Sequence, residues 1–231
     1  MPSRLPEPIR PVSPELQVHV DASGAAGEAA TLLATALREA VAARGDGSLA
    51  VSGGRAAPLF AALGSRPVPW DHVDVFQVDE RVAPDGHEDR NLGLLRSHLP
   101  EDALERIQPM PVTDPDLEAA AADYAAALRA PLDAVHLGLG ADGHTASLVP
   151  GDPVLRIADR DVAVSAPYEG RRRMTLTFPA LARAGLVVWL VTGPDKADVL
   201  RRLLDGDAAI PASHVTAPRQ VIVADRSAAG T

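Results

Sequence analysis

The sequence predicts one α/β domain: a mainly parallel sheet with helices on both faces, a Rossmann-like three-layer sandwich. Three observations carry this. Short apolar runs alternate with Ala-, Leu- and Glu-rich helical stretches along the whole chain, an order that builds a parallel sheet covered on both sides. Several runs end at glycine, where a strand leaves a sheet and the chain turns. With 231 residues, 46% of them apolar, the chain can bury one large core without a second domain.

The elements follow in order. Residues 1–14 are expected to be an extended arm, because residues 2–14 hold five prolines, each with its backbone φ fixed by the ring; the domain is placed at 15–231. Residues 16–20 alternate as a first strand. Residues 25–43 are a helix ending near Arg44-Gly45. A short strand at 48–52 runs into Gly53-Gly54, followed by a helix at 55–63. Residues 73–78 are a strand ending in a charged loop, Asp79-Glu80-Arg81. Residues 91–98 and 117–129 read as helices, and 134–139 as a buried strand. Strands at 162–166 and 174–178 flank an Arg-rich turn. A helix at 179–184 starts with proline in its first turn. A strand at 186–192, a helix at 194–204 and a last strand at 220–224 complete the pattern. No repeat, low-complexity run or linker interrupts it.

Composition removes several functions. Lys and Arg number 22 against 31 Asp and Glu, a net charge of −9, so no broad basic field exists to bind nucleic acid. With aromatics at 3%, platforms for stacking bases are scarce. No apolar run approaches the roughly 18 residues of a membrane span, and the first residues lack the apolar stretch of a secretion signal. There is no cysteine, which excludes disulfides, thiolate nucleophiles and Cys-ligated zinc. The expectation is a cytoplasmic protein with neither nucleic-acid nor membrane partner, a monomer or weak homodimer. An anionic substrate would need a local Arg/Lys cluster to overcome the global field.

The most informative stretch is Gly138-Leu139-Gly140-Ala141-Asp142-Gly143-His144-Thr145-Ala146-Ser147-Leu148. It leaves a predicted strand at its carboxyl end, where ligands of open α/β sheets bind. A neutral imidazole there is the natural base for activating water. Asp142 can fix its tautomer or cap a following helix; isolated histidines such as His19, His72, His87 and His98 are read as surface or helix-end residues. Ser52-Gly53-Gly54-Arg55 is a glycine turn entering a helix, suited to an anion but equally to an ordinary tight turn, and the P-loop spacing is absent. Arg81 can clamp a phosphate or carboxylate bidentately. Asp79 can be a base or orient one, and Arg90-Asn91 can fold over the same cleft. Arg171-Arg172-Arg173 is in part a solvated turn. Lys196, in the first turn of a helix where the dipole disfavours a cation, implies an anion beside it. The glycine spacing Gly138-x-Gly140-x-x-Gly143 also fits a dinucleotide fingerprint. However, Pro150-Gly151-Asp152-Pro153 ends any following helix too early, and Asp161 precedes the next strand rather than ending it.

Taken together, Ser52-Gly53-Gly54, Asp79-Glu80-Arg81 with Asn91, the stretch from Gly138 to Pro150, Arg173 to Thr177 and Gly193 to Lys196 resemble, in this order, the 6-phosphogluconolactonase family, part of a group that includes glucosamine-6-phosphate deaminases. The resemblance implies hydrolysis of 6-phospho-D-glucono-1,5-lactone, a phosphosugar lactone, in the oxidative pentose phosphate pathway, without metal or cofactor. It implies His144, Asp142 and Asp79 as catalytic residues. Ser52, Gly53, Gly54, Arg55, Arg81, Asn91, Gly143, Arg173 and Lys196 would hold the substrate, with backbone N–H groups near Gly143 and a helix start facing the oxyanion. The deaminase branch continues its Gly-x-Asp-Gly-His core with Ile-Ala-Phe-Asn-Glu-Pro; here Val149 takes the place of that glutamate and cannot exchange a proton. Arg55 stands where a small hydroxyl residue is common, and Leu92 where an aromatic often follows the asparagine. The alternatives are a deaminase-like aldose–ketose isomerase and a non-catalytic phosphosugar-binding module.

Overall fold

The computed structural model describes residues 14–128 and 131–231; the expected arm, Pro14 apart, and Arg129 lie outside the described residues. The strands are β1 (Glu15–His19), β2 (Gly47–Val51), β3 (Val73–Gln77), β4 (Asp79–Arg81), β5 (Ile107–Gln108), β6 (Ala134–Leu137), β7 (Val162–Val164), β8 (Arg173–Leu176), β9 (Leu186–Val191) and β10 (Gln220–Asp225). The helices are α1 (Ala22–Arg44), α2 (Ala57–Gly64), α3 (Asn91–His98), α4 (Glu101–Leu104), α5 (Leu117–Ala127), α6 (Phe178–Ala182), α7 (Ala197–Leu204) and α8 (Arg226–Ala229).

Seven strands form one sheet in the order β1-β10-β9-β6-β2-β3-β5, every neighbouring pair parallel. Strands β2, β3, β6 and β10 are buried at every position, as a sheet covered on both faces requires. Leu33 and Leu37 of α1, Leu59 and Phe60 of α2 and Leu95 of α3 cover one face. Tyr124 of α5, Leu181 of α6, Leu200 of α7 and Ala228 of α8 belong to the layer on the other. The expected three-layer sandwich is therefore present. After β2 the chain moves outward to β3 and β5; after β6 it moves the other way to β9 and β10. Strands β2 and β6 are neighbours, Val51 beside His136, so their carboxyl ends mark the topological switch point where such sheets bind ligands.

The structure departs from expectation where local chemistry overrides pattern. Helix α1 starts three residues earlier than the periodicity indicates, because the Asp21 side chain accepts a hydrogen bond from the Gly24 N–H at 2.8 Å and caps it. Gly54–Ala56 forms a 3-10 turn, and α2 begins only at Ala57 with proline in its first turn. Asp79-Glu80-Arg81 is not a loop: it is strand β4, antiparallel to β8, in a second sheet of order β4-β8-β7. Three charged residues carry no alternation, so only their partner strand reveals this one. No helix follows the Gly138 stretch. Gly143 at φ +88° and Ala146 at φ +50° break any helical run, and the segment closes as turns, Gly143 N–H to Gly140 O at 2.9 Å and Leu148 N–H to Thr145 O at 2.9 Å. Lys196 sits in a 3-10 turn, Pro194–Lys196, ahead of α7. The short elements α4, β5 and α8 lie outside the sequence expectation because two to four residues show no period.

Candidate active site

A cavity of about 530 Å³ opens at the carboxyl ends of β2, β3, β6 and β9, within the range of small-molecule sites. Of the residues expected at the site, Ser52, Gly53, Gly54 and Arg55 line it from the turn after β2. Asp79, Arg81 and Asn91 line it from β4 and the start of α3, Asp142 and His144 from the turn after β6, Arg173 from β8, and Lys196 from the turn after β9. Gly143 does not line it. Its N–H is spent on Gly140 O, its carbonyl accepts from Ala212 N at 3.0 Å, and a Cβ there would lie 2.4 Å from the Ile210 Cβ. Gly143 is thus placed by packing and turn geometry, its own amide already engaged within the turn. With no helix following, neither does Asp142 cap one.

The chemistry centres on His144. Its Nδ1 lies 2.5 Å from Asp142 Oδ1, which also accepts the His144 backbone N–H at 3.1 Å. Burial works against charge on Asp142, but the His144 amide and imidazole outweigh it and hold the carboxyl below its ordinary range. With Nδ1 tied to a carboxylate, Nε2 is the ring nitrogen left to accept a proton. Tyr168 was not foreseen. Its hydroxyl donates to Asp142 Oδ2 at 3.3 Å, and its ring meets His144 edge-on at 5.7 Å between centroids. Gly140 makes room for the pair, since a Cβ there would lie 2.2 Å from His144 Nδ1. Gly140→Ala is therefore expected to displace the imidazole and lower kcat by about 10²-fold with little change in thermal melting; kinetics and a melting curve on the same preparation check both.

Asp79 forms part of the cavity wall. Ser147 Oγ donates to its Oδ2 at 2.7 Å, and Asn91 Nδ2 lies 3.5 Å from Oδ1. Burial raises its pKa, against the pull of Ser147, Arg81 and Arg173. The neighbouring Glu80 points the other way and is fully buried.

The arginine run resolves into separate roles. Arg171 pairs with Asp89 at 2.6 Å and Arg172 with Glu118 at 3.7 Å, while Arg173, its side chain only 6% exposed, faces the cavity. Arg55 is 72% exposed and pairs with Asp195 at 3.2 Å, which places it on the rim. Lys196 is more sheltered and lies 3.7 Å from the same carboxylate. Ser52 Oγ, His136 Nδ1 and the Nε atoms of Arg81 and Arg173 are buried without hydrogen-bond partners. All four residues line the cavity.

His136 escaped sequence reasoning because it sits inside an apolar strand. It packs edge-on against Phe60, and burial pushes its pKa from 6.5 down to about 4, the Ser52 backbone acting in the opposite direction. The unfolded chain therefore takes up a proton near pH 6.5 and the folded one only near 4, so stability is full above pH 6.5 and lost as pH falls toward 4. The loss attributable to this group approaches roughly 3 kcal/mol. His136→Gln is expected to flatten this dependence, read as the difference between urea stabilities at pH 7 and pH 5 in variant and parent.

Comparison with known proteins shows what the chain as a whole is similar to. The family model for glucosamine-6-phosphate isomerases/6-phosphogluconolactonase matches residues 20–224. A 6-phosphogluconolactonase of Synechocystis sp. is 34% identical over 85% of this chain and 88% of its own length. The crystal structure of a 6-phosphogluconolactonase from Shewanella baltica superposes with a TM-score of 0.84 at 28% identity, covering 92% of this chain and 97% of the other. A monomeric glucosamine-6-phosphate deaminase superposes with a TM-score of 0.82 at 17% identity over 94% and 99% of the two chains, a likeness of fold alone. Val149 is buried and does not line the cavity. On the matched length and the sequence identity together, the chain belongs to the glucosamine-6-phosphate isomerase/6-phosphogluconolactonase family.

Proposed function

We propose that the protein hydrolyses 6-phospho-D-glucono-1,5-lactone to 6-phosphogluconate, with His144 as general base. The observation that carries the reading is the His144–Asp142 pair, 2.5 Å apart, in a cavity also lined by Arg81, Arg173 and Lys196. The phosphate would rest against the Ser52–Gly54 turn, Arg81, Arg173 and Lys196, with Arg55 at the rim. His144 takes a proton from water as its oxygen attacks the lactone carbonyl. The tetrahedral adduct then breaks its bond to the ring oxygen, which receives that proton, and the sugar acid is released. Asp142 holds the imidazole and offsets its transient charge. Asp79, buried in the wall, would accept a hydrogen bond from a sugar hydroxyl or a protonated neighbour.

The substrate is small and water-soluble. The reading is of a cytoplasmic enzyme, monomeric or weakly dimeric, without a nucleic-acid partner; among the described residues no helix is long and apolar enough to cross a membrane. The test is disappearance of the lactone, generated in place from glucose 6-phosphate, against its spontaneous hydrolysis. Acceleration supports the reading. No acceleration, with ammonia released from glucosamine 6-phosphate, would replace it with the deaminase chemistry; binding of 6-phosphogluconate without any turnover would make the protein a phosphosugar-binding module.

A further inference from the structure

We propose that Glu169 is a built-in counter-ion that occupies Arg173 while the site is empty and is displaced by the anionic group of the ligand, so that it sets how strongly the site discriminates among anions. The inference rests on the phosphosugar reading above. Arg173 is almost fully buried, its Nη2 donates to Glu169 Oε2 at 2.8 Å, and its guanidinium lies over the Tyr168 ring, 4.9 Å from the centroid. A sheltered cation without a counter-charge is costly, and Asp79, the other carboxylate acting on Arg173, is itself pushed toward its neutral form by burial. Glu169 supplies what is missing. It can also leave, because its side chain is 68% exposed.

The turn that carries it is built for this position. Tyr168 and Arg171 exchange backbone hydrogen bonds at 2.9 and 3.2 Å across a two-residue hairpin whose central residues, Glu169 and Gly170, both have positive φ, +51° and +80°. Glycine or asparagine is the ordinary choice at the first of these, and a glutamate there bears a conformational cost that its contact with Arg173 offsets. Arg171 ties the far side of the hairpin to Asp89, so the turn stays over the cavity while the Glu169 side chain swings. A phosphate dianion gains Arg173 together with the Ser52–Gly54 turn and Lys196, and so outcompetes a single carboxylate. A neutral sugar lactone offers Arg173 nothing in exchange and leaves the contact closed.

The test is calorimetric titration of the full-length protein and of Glu169→Gln with inorganic phosphate and with 6-phosphogluconate. An ion pair at a partly exposed site, lost as competitor, is expected to tighten both anions by about fivefold, with KM for the lactone falling in step and kcat unchanged. In an Arg173→Gln background the same substitution is expected to change neither affinity, a non-additivity that a merely structural role would not produce. Equal or weaker anion binding by Glu169→Gln overturns the counter-ion role while leaving the lactonase reading in place. Failure of both proteins to bind either anion overturns the two together.

Discussion

His144→Ala is expected to lower kcat by about 10²- to 10⁴-fold, the contribution of a positioned general base, while affinity for 6-phosphogluconate stays close to that of the parent. The separation follows from geometry. The cations Arg81, Arg173 and Lys196 lie on β4, on β8 and after β9, whereas His144 lies on the turn after β6. That turn is closed by its own backbone bonds, Gly140 N–H to His144 O at 2.8 Å among them, which do not need the imidazole. Asp142→Asn is expected to lose turnover as well, because an amide can present a donor to Nδ1 and no longer offsets the imidazolium that forms. Steady-state kinetics separate these effects from changes in KM.

Glu80→Ala is expected to destabilise the fold by about 3–5 kcal/mol, the cost of breaking a buried charge pair from one side, and to lower Tm by roughly 10 °C. Glu80 has no exposed surface, and its two oxygens gather five groups. Oε1 accepts the backbone N–H of Arg81 and of Asn91, both at 2.8 Å; Oε2 accepts Gln77 Nε2 at 2.8 Å and Leu92 N–H at 2.9 Å, and Arg90 Nε lies 3.1 Å away. Two of these donors open α3, whose own N-cap residue makes no side-chain cap, so a carboxylate from a different strand caps that helix. Because α3 delivers Asn91 to the cavity, the variant is expected to raise KM in addition to melting early. Differential scanning calorimetry and KM on the same protein check the two effects; a stable variant with an unchanged KM would remove Glu80 from the support of the site.

What the sequence discloses and what it hides divide along physical lines. The parallel sheet is legible because its strands are mostly apolar, β9 an unbroken apolar run and β10 apolar from Val221 to Ala224, as burial on both faces requires. The turns after β2 and β6 are legible because their glycines permit close approach: Gly140 gives room to His144, and a Cβ at Gly53 would lie 2.0 Å from Asn91 Oδ1. The second sheet is hidden because β4 is three charged residues whose strand character comes only from β8. His136 is hidden by apolar neighbours, Glu80 by sitting in what reads as a solvated triplet, and Tyr168 and Glu169 by belonging to a turn whose partners are Asp142 and Arg173. Gly143 belongs to the most telling stretch of the chain, and its lack of a Cβ is what lets the turn pack against Ile210.

Whether one site both binds the phosphosugar with its cations and reacts through His144 is decided by measuring turnover and 6-phosphogluconate binding on one preparation of His144→Ala beside the parent enzyme. The expected result is lactone loss near the spontaneous rate in the variant, strong acceleration in the parent, and similar product affinity in both. Turnover retained in the variant, or binding lost together with turnover, would contradict it.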